Sequence, residues 1–184
     1  MPEPRRGHPG LRSDRLLLRE WRESDLAPLA ALNADPVVRR YFPDVLTRER
    51  SDAAAHRWQA DIERRGWGWW ALEAVATGEF IGVAGLAPAQ DTPFTGVETG
   101  WRLARSAWGN GYATEAALAA VEFGFTTLGL PEILAVTTAT NLRSRAVMRR
   151  IGMTHDPADD FQDLSVAPGP LRHCVTYRLG RGEG

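Results

Sequence analysis

The residues with the most chemical use lie between Glu98 and Ala116. A β-patterned run, Val97-Glu98-Thr99-Gly100-Trp101-Arg102-Leu103, leads through Trp108-Gly109-Asn110-Gly111 into a helical pattern that opens Tyr112-Ala113-Thr114-Glu115. Two glycines let a backbone turn tightly and leave space beside its amides. The first N–H groups of a helix have no acceptor within the helix, and the helix dipole is positive there. Such a terminus holds phosphate oxygens. The same spacing also serves a plain strand–helix connection, and the glycines alone do not separate the two. A dinucleotide fingerprint would need a third glycine where Thr114 stands. Glu132 lies at about the right distance to reach a ribose, but it precedes its strand and follows Pro131, which disfavours that reading.

Composition removes other chemistries. All 22 basic side chains among the 184 residues are arginine. Without lysine there is no Walker-type phosphate contact, no kinase-type ATP lysine and no Schiff base. The net charge of −1 argues against a general polyanion binder, so no nucleic-acid partner is expected. Cys174, the single cysteine, excludes an intramolecular disulfide and a multi-cysteine zinc site. No metal is expected: the acidic run Asp156, Asp159, Asp160 and Asp163 lacks EF-hand spacing and its turn glycine. The first ten residues have no apolar core of a secretory signal, and no apolar run approaches ~20 residues. A cytoplasmic setting without a membrane partner is the expectation.

The elements that must position the glycine turn follow from periodicity. Strands are expected at 15–20, 69–75, 80–86, 97–103, 133–138 and 173–179, with Thr77-Gly78 turning the second into the third. Helices are expected from Ser24 or Asp25 to about Asn33, and over 47–65, 111–127 and 141–151. Gly66 and Gly152 stand where helices stop. The segment 97–138 has the length of a parallel strand–helix–strand crossover. The expected organisation is an α/β (mixed α+β) domain over 12–179 between disordered tails at 1–11 and 180–184.

With these elements in place, the run Trp108–Ala116 (WGNGYATEA) resembles the acetyl-CoA loop of the GNAT superfamily of N-acetyltransferases, and specifically its RimJ/RimL-like branch. Arg15–Leu29 (RLLLREWRESDLAPL) is similar to that branch's opening strand and helix. Thr77–Leu86 (TGEFIGVAGL) resembles its central hairpin, Asn141–Met153 (NLRSRAVMRRIGM) its second CoA-side motif, and Arg172–Leu179 (RHCVTYRL) its last strand. The five segments follow the family's order and spacing across roughly residues 12–179.

The resemblance implies a GNAT fold, with a twisted mixed sheet of six to seven strands and helices on both faces. It implies acetyl-CoA as co-substrate and direct transfer of the acetyl group to a primary amine. Backbone near Trp101 and Leu103 would pair with pantetheine, and amides of Gly109, Asn110, Gly111, Tyr112, Ala113 and Thr114 would hold the pyrophosphate. Trp108 occupies the first position of the family's loop pattern. Glu98 matches the usual carboxylate position and would serve as general base through water. His173 and Asp160 are lesser candidates. Many members carry a proton-donating Tyr seven residues after Asn141. Met148 stands there instead, so Ser144 takes the general-acid role and joins Asn141 at the pantetheine. Tyr41, Phe42 and Trp70 are the expected acceptor-binding residues. Trp67, Trp69 and Trp70 also suit core packing or a dimer contact. Arg143 or Arg145 would meet the 3′-phosphate of CoA or an acidic acceptor. The branch favours a protein N-terminal amine and allows a homodimer. Three readings stay open beside it: a small-amine acetyltransferase, a non-catalytic acyl-CoA-binding module, and a nucleotide-dependent oxidoreductase.

Overall fold

The computed structural model describes residues 10–90 and 92–182. The expected tails therefore fall mainly on undescribed residues. Where they overlap the described chain, Leu11 pairs with Leu18 and Gly180 with Glu132.

In chain order the elements are β1 (Leu11–Arg12), β2 (Leu16–Arg19), α1 (Glu23–Ala34), α2 (Arg48–Arg65), β3 (Trp69–Ala74), β4 (Glu79–Pro88) and β5 (Val97–Leu103). There follow α3 (Tyr112–Thr126), β6 (Glu132–Thr138), α4 (Leu142–Arg150), β7 (Thr154–His155), β8 (Phe161–Gln162) and β9 (His173–Gly180). One mixed sheet runs in the order β1-β2-β3-β4-β5-β6-β9-β7, and β8 also pairs with β9. Among the described residues it has nine strands rather than the six or seven expected. The three additions, β1, β7 and β8, have two residues each, too few to show an alternation.

Local chemistry sets the boundaries. Helix α1 starts at Glu23, one residue before the expected caps. Asp25 occupies its first turn, where its carboxylate accepts the Arg22 backbone N–H at 2.8 Å. The Thr47 hydroxyl caps α2, and Gly66 ends it at φ 82°. Gly78, at φ 69°, turns β3 into β4.

Strands β2 to β5 are antiparallel neighbours, whereas β5 and β6 are parallel and joined through α3. Cross-strand register divides the sheet into two faces. Leu16, Leu18, Trp70, Leu72, Leu86 and Leu103 are buried in the main core with Ala116, Ala117, Ala120 and Phe123 of α3. Phe123 meets the Trp70 ring edge-on at 5.6 Å. The opposite face carries α1 and α2, where Leu26, Leu29 and Ala55 pack with Trp21, Trp58 and Phe80.

Candidate functional site

Strands β5 and β6 share the register pair Glu98↔Leu134 and then part. Beyond it, Thr99–Leu103 pair with β4 and Ala135–Thr138 with β9. A wedge opens between the C-terminal halves of two parallel strands. The Ala104 N–H donates to the Ile81 carbonyl at 2.9 Å. Counting back in twos, the backbone of Arg102 and Gly100 faces β4, and that of Leu103 and Trp101 faces the wedge. The Trp108 indole N–H donates to the Leu103 carbonyl at 2.9 Å. The Leu103 N–H and both backbone groups of Trp101 still point into the wedge.

The glycine turn lies just past the wedge. Gly109 and Gly111 take φ of 80° and 78°, a left-handed conformation that other side chains resist. Gly111 caps α3 without a side chain, and the Glu115 N–H to Gly111 carbonyl bond closes the first turn. The N–H groups of Tyr112, Ala113 and Thr114 therefore have no acceptor inside the helix. Asn110 braces the turn, its amide donating to the carbonyls of Ala107 (3.3 Å) and Trp108 (3.2 Å). Trp108 is fixed to the end of β5, and Arg143 of α4 lies over its ring at 4.8 Å.

A clamp that the sequence reading missed fixes this turn to the sheet edge. Arg15 Nε donates to Glu115 Oε2 at 2.7 Å, and Arg15 Nη1 donates to the Asn110 carbonyl at 2.9 Å. The Arg15 guanidinium lies over the Tyr112 ring. The Ser13 hydroxyl and the Arg15 backbone N–H both donate to Glu115 Oε1, at 2.7 and 2.9 Å. Burial pushes the Glu115 carboxyl up, but these donors outweigh it and hold it below its ordinary value. Its signal was the Glu of the loop motif, whose partners lie 100 residues away.

Glu98, Gly100 and Arg102 share the face that carries α1 and α2, because their cross-strand partners Ala87, Gly85 and Val83 do. A Cβ at Gly100 would lie 2.9 Å from Trp69 Cη2, so the Trp69 indole lies over Gly100. Trp69 is partly exposed. Trp70 is not a wall of this cleft: it points the other way, 0% exposed, into the core beneath α3. Trp69, one position earlier, is the β3 tryptophan on the face of Glu98 and Arg102. Phe42, 40% exposed, is brought to the same face, where the guanidinium groups of Arg39 and Arg102 lie 4.4 and 5.2 Å from its ring centre. Tyr41 lies in the same loop with Arg40 over its ring.

At the start of α4, Asn141 Oδ1 accepts the Ser144 N–H at 3.3 Å, and Asn141 Nδ2 donates to Thr137 Oγ1 and Ser144 Oγ. Because Ser144 Oγ accepts there, its own proton is available to another acceptor. Met148 is buried in the core, so this position offers no donor.

The remaining expectations find structural partners. Asp160 lies between His155 (2.7 Å) and His173 (3.5 Å) beside β9, two strands away from Glu98. Asp159 and Glu132 both pair with Arg178, which gives Glu132 a structural engagement. Arg145 donates to the Tyr177 hydroxyl and the Ala139 carbonyl, leaving Arg143 as the α4 arginine beside the glycine turn. Burial pushes the Cys174 thiol up to about 11, which suppresses its thiolate.

A wedge with free strand amides, a helix terminus beyond it and a carboxylate beside it suits a ligand with amide groups, a reactive end and a phosphorylated tail. A family model described as an acetyltransferase (GNAT) domain matches residues 15–154. The Bacillus subtilis protein named Uncharacterized protein YkkB is 34% identical over 142 residues, 77% of this chain and 83% of its own. FsC-acetyl coenzyme A-N(2)-transacetylase of Aspergillus fumigatus is 40% identical over 124 residues, 64% of this chain and 52% of that protein, so the match spans about half of that relative. The crystal structure of an acetyltransferase from Agrobacterium tumefaciens has a TM-score of 0.76 at 29% identity, with 94% of this chain and 95% of that one covered.

Proposed function

The chain belongs to the GNAT acetyltransferase family, and we propose that this acetyl-CoA-dependent acyltransferase moves an acetyl group directly to a primary amine, in the RimJ/RimL-like manner a protein N-terminal amine. The observation that carries the reading is the wedge: β5 and β6 part after Glu98↔Leu134, with the Trp101 backbone directed into the gap.

On this reading the pantetheine arm lies in the wedge as an added strand would, its amides pairing with the Trp101 and Leu103 backbone. The pyrophosphate meets the N–H groups that open α3, and Arg143 reaches the outer phosphate. The acceptor enters on the face of α1 and α2, between Trp69 and Phe42. Glu98 takes the ammonium proton through water, and the neutral nitrogen attacks the thioester carbon. The carbonyl oxygen becomes an oxyanion held by a strand N–H facing the wedge. When the C–S bond breaks, the thiolate takes a proton from Ser144, the surplus proton on the attacking nitrogen restores that hydroxyl through water, and amide and CoA leave. No covalent enzyme intermediate is needed.

A small-molecule amine is the second reading, favoured by the transacetylase at 40% identity. Among the described residues no helix is long and apolar enough to cross a membrane. A cytoplasmic setting and a homodimer belong to this reading as expectations.

The test is release of free CoA from acetyl-CoA with a panel of amines and N-terminal peptides, for wild type and Glu98→Gln. Turnover is expected, with kcat/KM falling about 10²–10⁴-fold in Glu98→Gln at neutral pH. Tight CoA binding without turnover on any acceptor would favour the binding module, and unchanged turnover in the variant would remove Glu98 as base.

A further inference from the structure

Two arginines share one cross-strand row on the acceptor face, and their surroundings differ. The row runs Arg19, Ala71, Val83, Arg102 through β2, β3, β4 and β5. Arg19 is fully paired: its guanidinium donates twice to Asp25 and once to Glu73. Arg102 has no carboxylate partner among the described residues, and its Nε is buried without an acceptor. Its neighbours are the Phe42 ring at 5.2 Å and the Trp58 ring at 6.0 Å. Arg39 lies on the same Phe42 ring, its Nε donating to the Asp44 carbonyl. Its nearest carboxylate oxygen, on Asp44 at 3.7 Å, belongs to a group that Arg50 also engages. Burial and the charge of Arg39 pull the Arg102 guanidinium down to about 9. It remains a cation at neutral pH, in a place where a cation is costly.

A half-buried guanidinium between aromatic rings, short of acceptors and close to a second cation, lacks an anion. The diphosphate does not supply it, because the amides that open α3 belong to the opposite face of the sheet. The acceptor does reach this face. Resting on the acceptor reading given above, we infer that Arg102, with Arg39 beside it, binds a carboxylate on the acceptor, so that the substrate is an amine that carries a second, anionic end. A guanidinium fork matches a planar carboxylate in two parallel hydrogen bonds.

The strand sets the distance between the ends. Glu98 and Arg102 are four residues apart on one face, roughly 13 Å between Cα atoms at ~3.3 Å per residue. Gly100, under the Trp69 ring, forms the floor between them. An α-amino acid's own carboxylate, two bonds from its amine, is too near to serve both ends. A side-chain carboxylate near the start of a peptide, or the far end of an ω-amino acid, spans it.

The experiment compares matched acceptors that differ in one charge. The peptide arm is Ala-Asp-Ala-Ala-amide against Ala-Asn-Ala-Ala-amide. The small-molecule arm is 6-aminohexanoate against 6-aminohexanamide. CoA release is measured for wild type, Arg102→Gln and Arg102→Lys. A separate titration follows tryptophan fluorescence, since Trp58 and Trp69 border the site, using glutarate, which has no amine, without acetyl-CoA.

In wild type the acid is expected to exceed its amide at least tenfold in kcat/KM in one arm, and the responding arm identifies the source. Arg102→Gln should bring the ratio within about twofold, and Arg102→Lys should keep part of it. Glutarate should quench wild type but not Arg102→Gln. Melting temperature should hold or rise in Arg102→Gln, because an unpaired buried charge is removed. Equal rates for acid and amide in both arms, or a ratio unchanged in Arg102→Gln, would overturn the carboxylate site while leaving acetyl transfer intact. Glutarate quenching without turnover on any amine would instead sink the acetyltransferase reading and keep the anion site.

Discussion

Replacement of Glu115 by Gln tests whether the glycine turn is held in place by the edge of the sheet. The Glu115 carboxylate accepts from the Ser13 hydroxyl, the Arg15 N–H and the Arg15 guanidinium. Its side chain is 17% exposed, whereas that of Arg15 is 51% exposed. Hydrogen bonds to a charged group contribute about 1.5–3 kcal/mol each when shielded. The guanidinium pair, half in water, is nearer ~0.5 kcal/mol. Gln keeps one carbonyl oxygen for Ser13 or the Arg15 N–H and loses the charge. A net loss of about 1–2 kcal/mol follows, a factor of roughly 5–30 in an equilibrium constant. Since the clamp holds Asn110 and Tyr112 on either side of Gly111, the loss should fall on the donor side: KM for acetyl-CoA rises about 5–30-fold while KM for the amine stays within twofold.

The pH dependence has a definite sign. The folded carboxyl is held below its ordinary value, so its stabilisation is complete above the unfolded value near ~4.3 and fades as pH falls through the folded one. The melting-temperature gap between wild type and Glu115→Gln should therefore be constant near neutrality and narrow below about pH 4. Steady-state kinetics with each substrate varied, beside thermal melts from pH 3 to 8, measure both effects. An unchanged KM for acetyl-CoA in a variant that melts earlier would show that the clamp only fastens strands. A raised KM for the amine instead would place the glycine turn on the wrong side of the reaction.

Three further substitutions separate roles at and beneath the proposed site. Ser144→Ala removes a hydroxyl proton that Asn141 leaves available, while Asn141 keeps its bond to Thr137; kcat should fall about 10–100-fold, with the melting temperature shifted by no more than a few degrees, and an unchanged kcat would remove Ser144 as the acid. Trp70→Ala should cost about 3–5 kcal/mol of stability in denaturant melts, as for a buried aromatic truncated in a core. Trp69→Ala should instead raise the amine KM at nearly constant stability, and the reverse pattern would invert the two faces assigned to β3.

Most of the fold was legible because its longer elements carry their own boundaries. The expected strand at 97–103 coincides with β5, and the helix opened by Gly111 differs from α3 by one residue at each end. What escaped depends on pairing between distant segments. Sequence does not tell Trp70 from Trp69 as a cleft wall, because β3 is largely buried and shows no clean alternation, so its faces separate only once its register with β4 is known. The clamp on Glu115, and the lack of a carboxylate partner for Arg102 among the described residues, are likewise long-range facts. The carboxylate four residues away from Arg102 in sequence, Glu98, says nothing about which charges meet. The glycine turn itself was legible from local rules alone, since both its φ values and its uncapped helix terminus are local.

Two glycines that carry no chemistry explain why β5 presents the residues it does. A Cβ at Gly85 would come within 2.1 Å of the Gly68 carbonyl oxygen, and one at Gly100 would press into the Trp69 ring. These two glycines are paired with each other, in the middle of the β4–β5 ladder. A slip of β5 by one residue would bring Thr99 or Trp101 to that spot, and either side chain would collide with Trp69. The slip would also send Glu98 and Arg102 to the face of α3 and bring Trp101 and Leu103 to the face of α1 and α2. Register, fixed at this glycine pair, is therefore what keeps the proposed base and Arg102 on one side of the sheet and the amides that open α3 on the other. On the proposed function, the wedge between β5 and β6 is where a thioester bound from one side meets an amine arriving from the other.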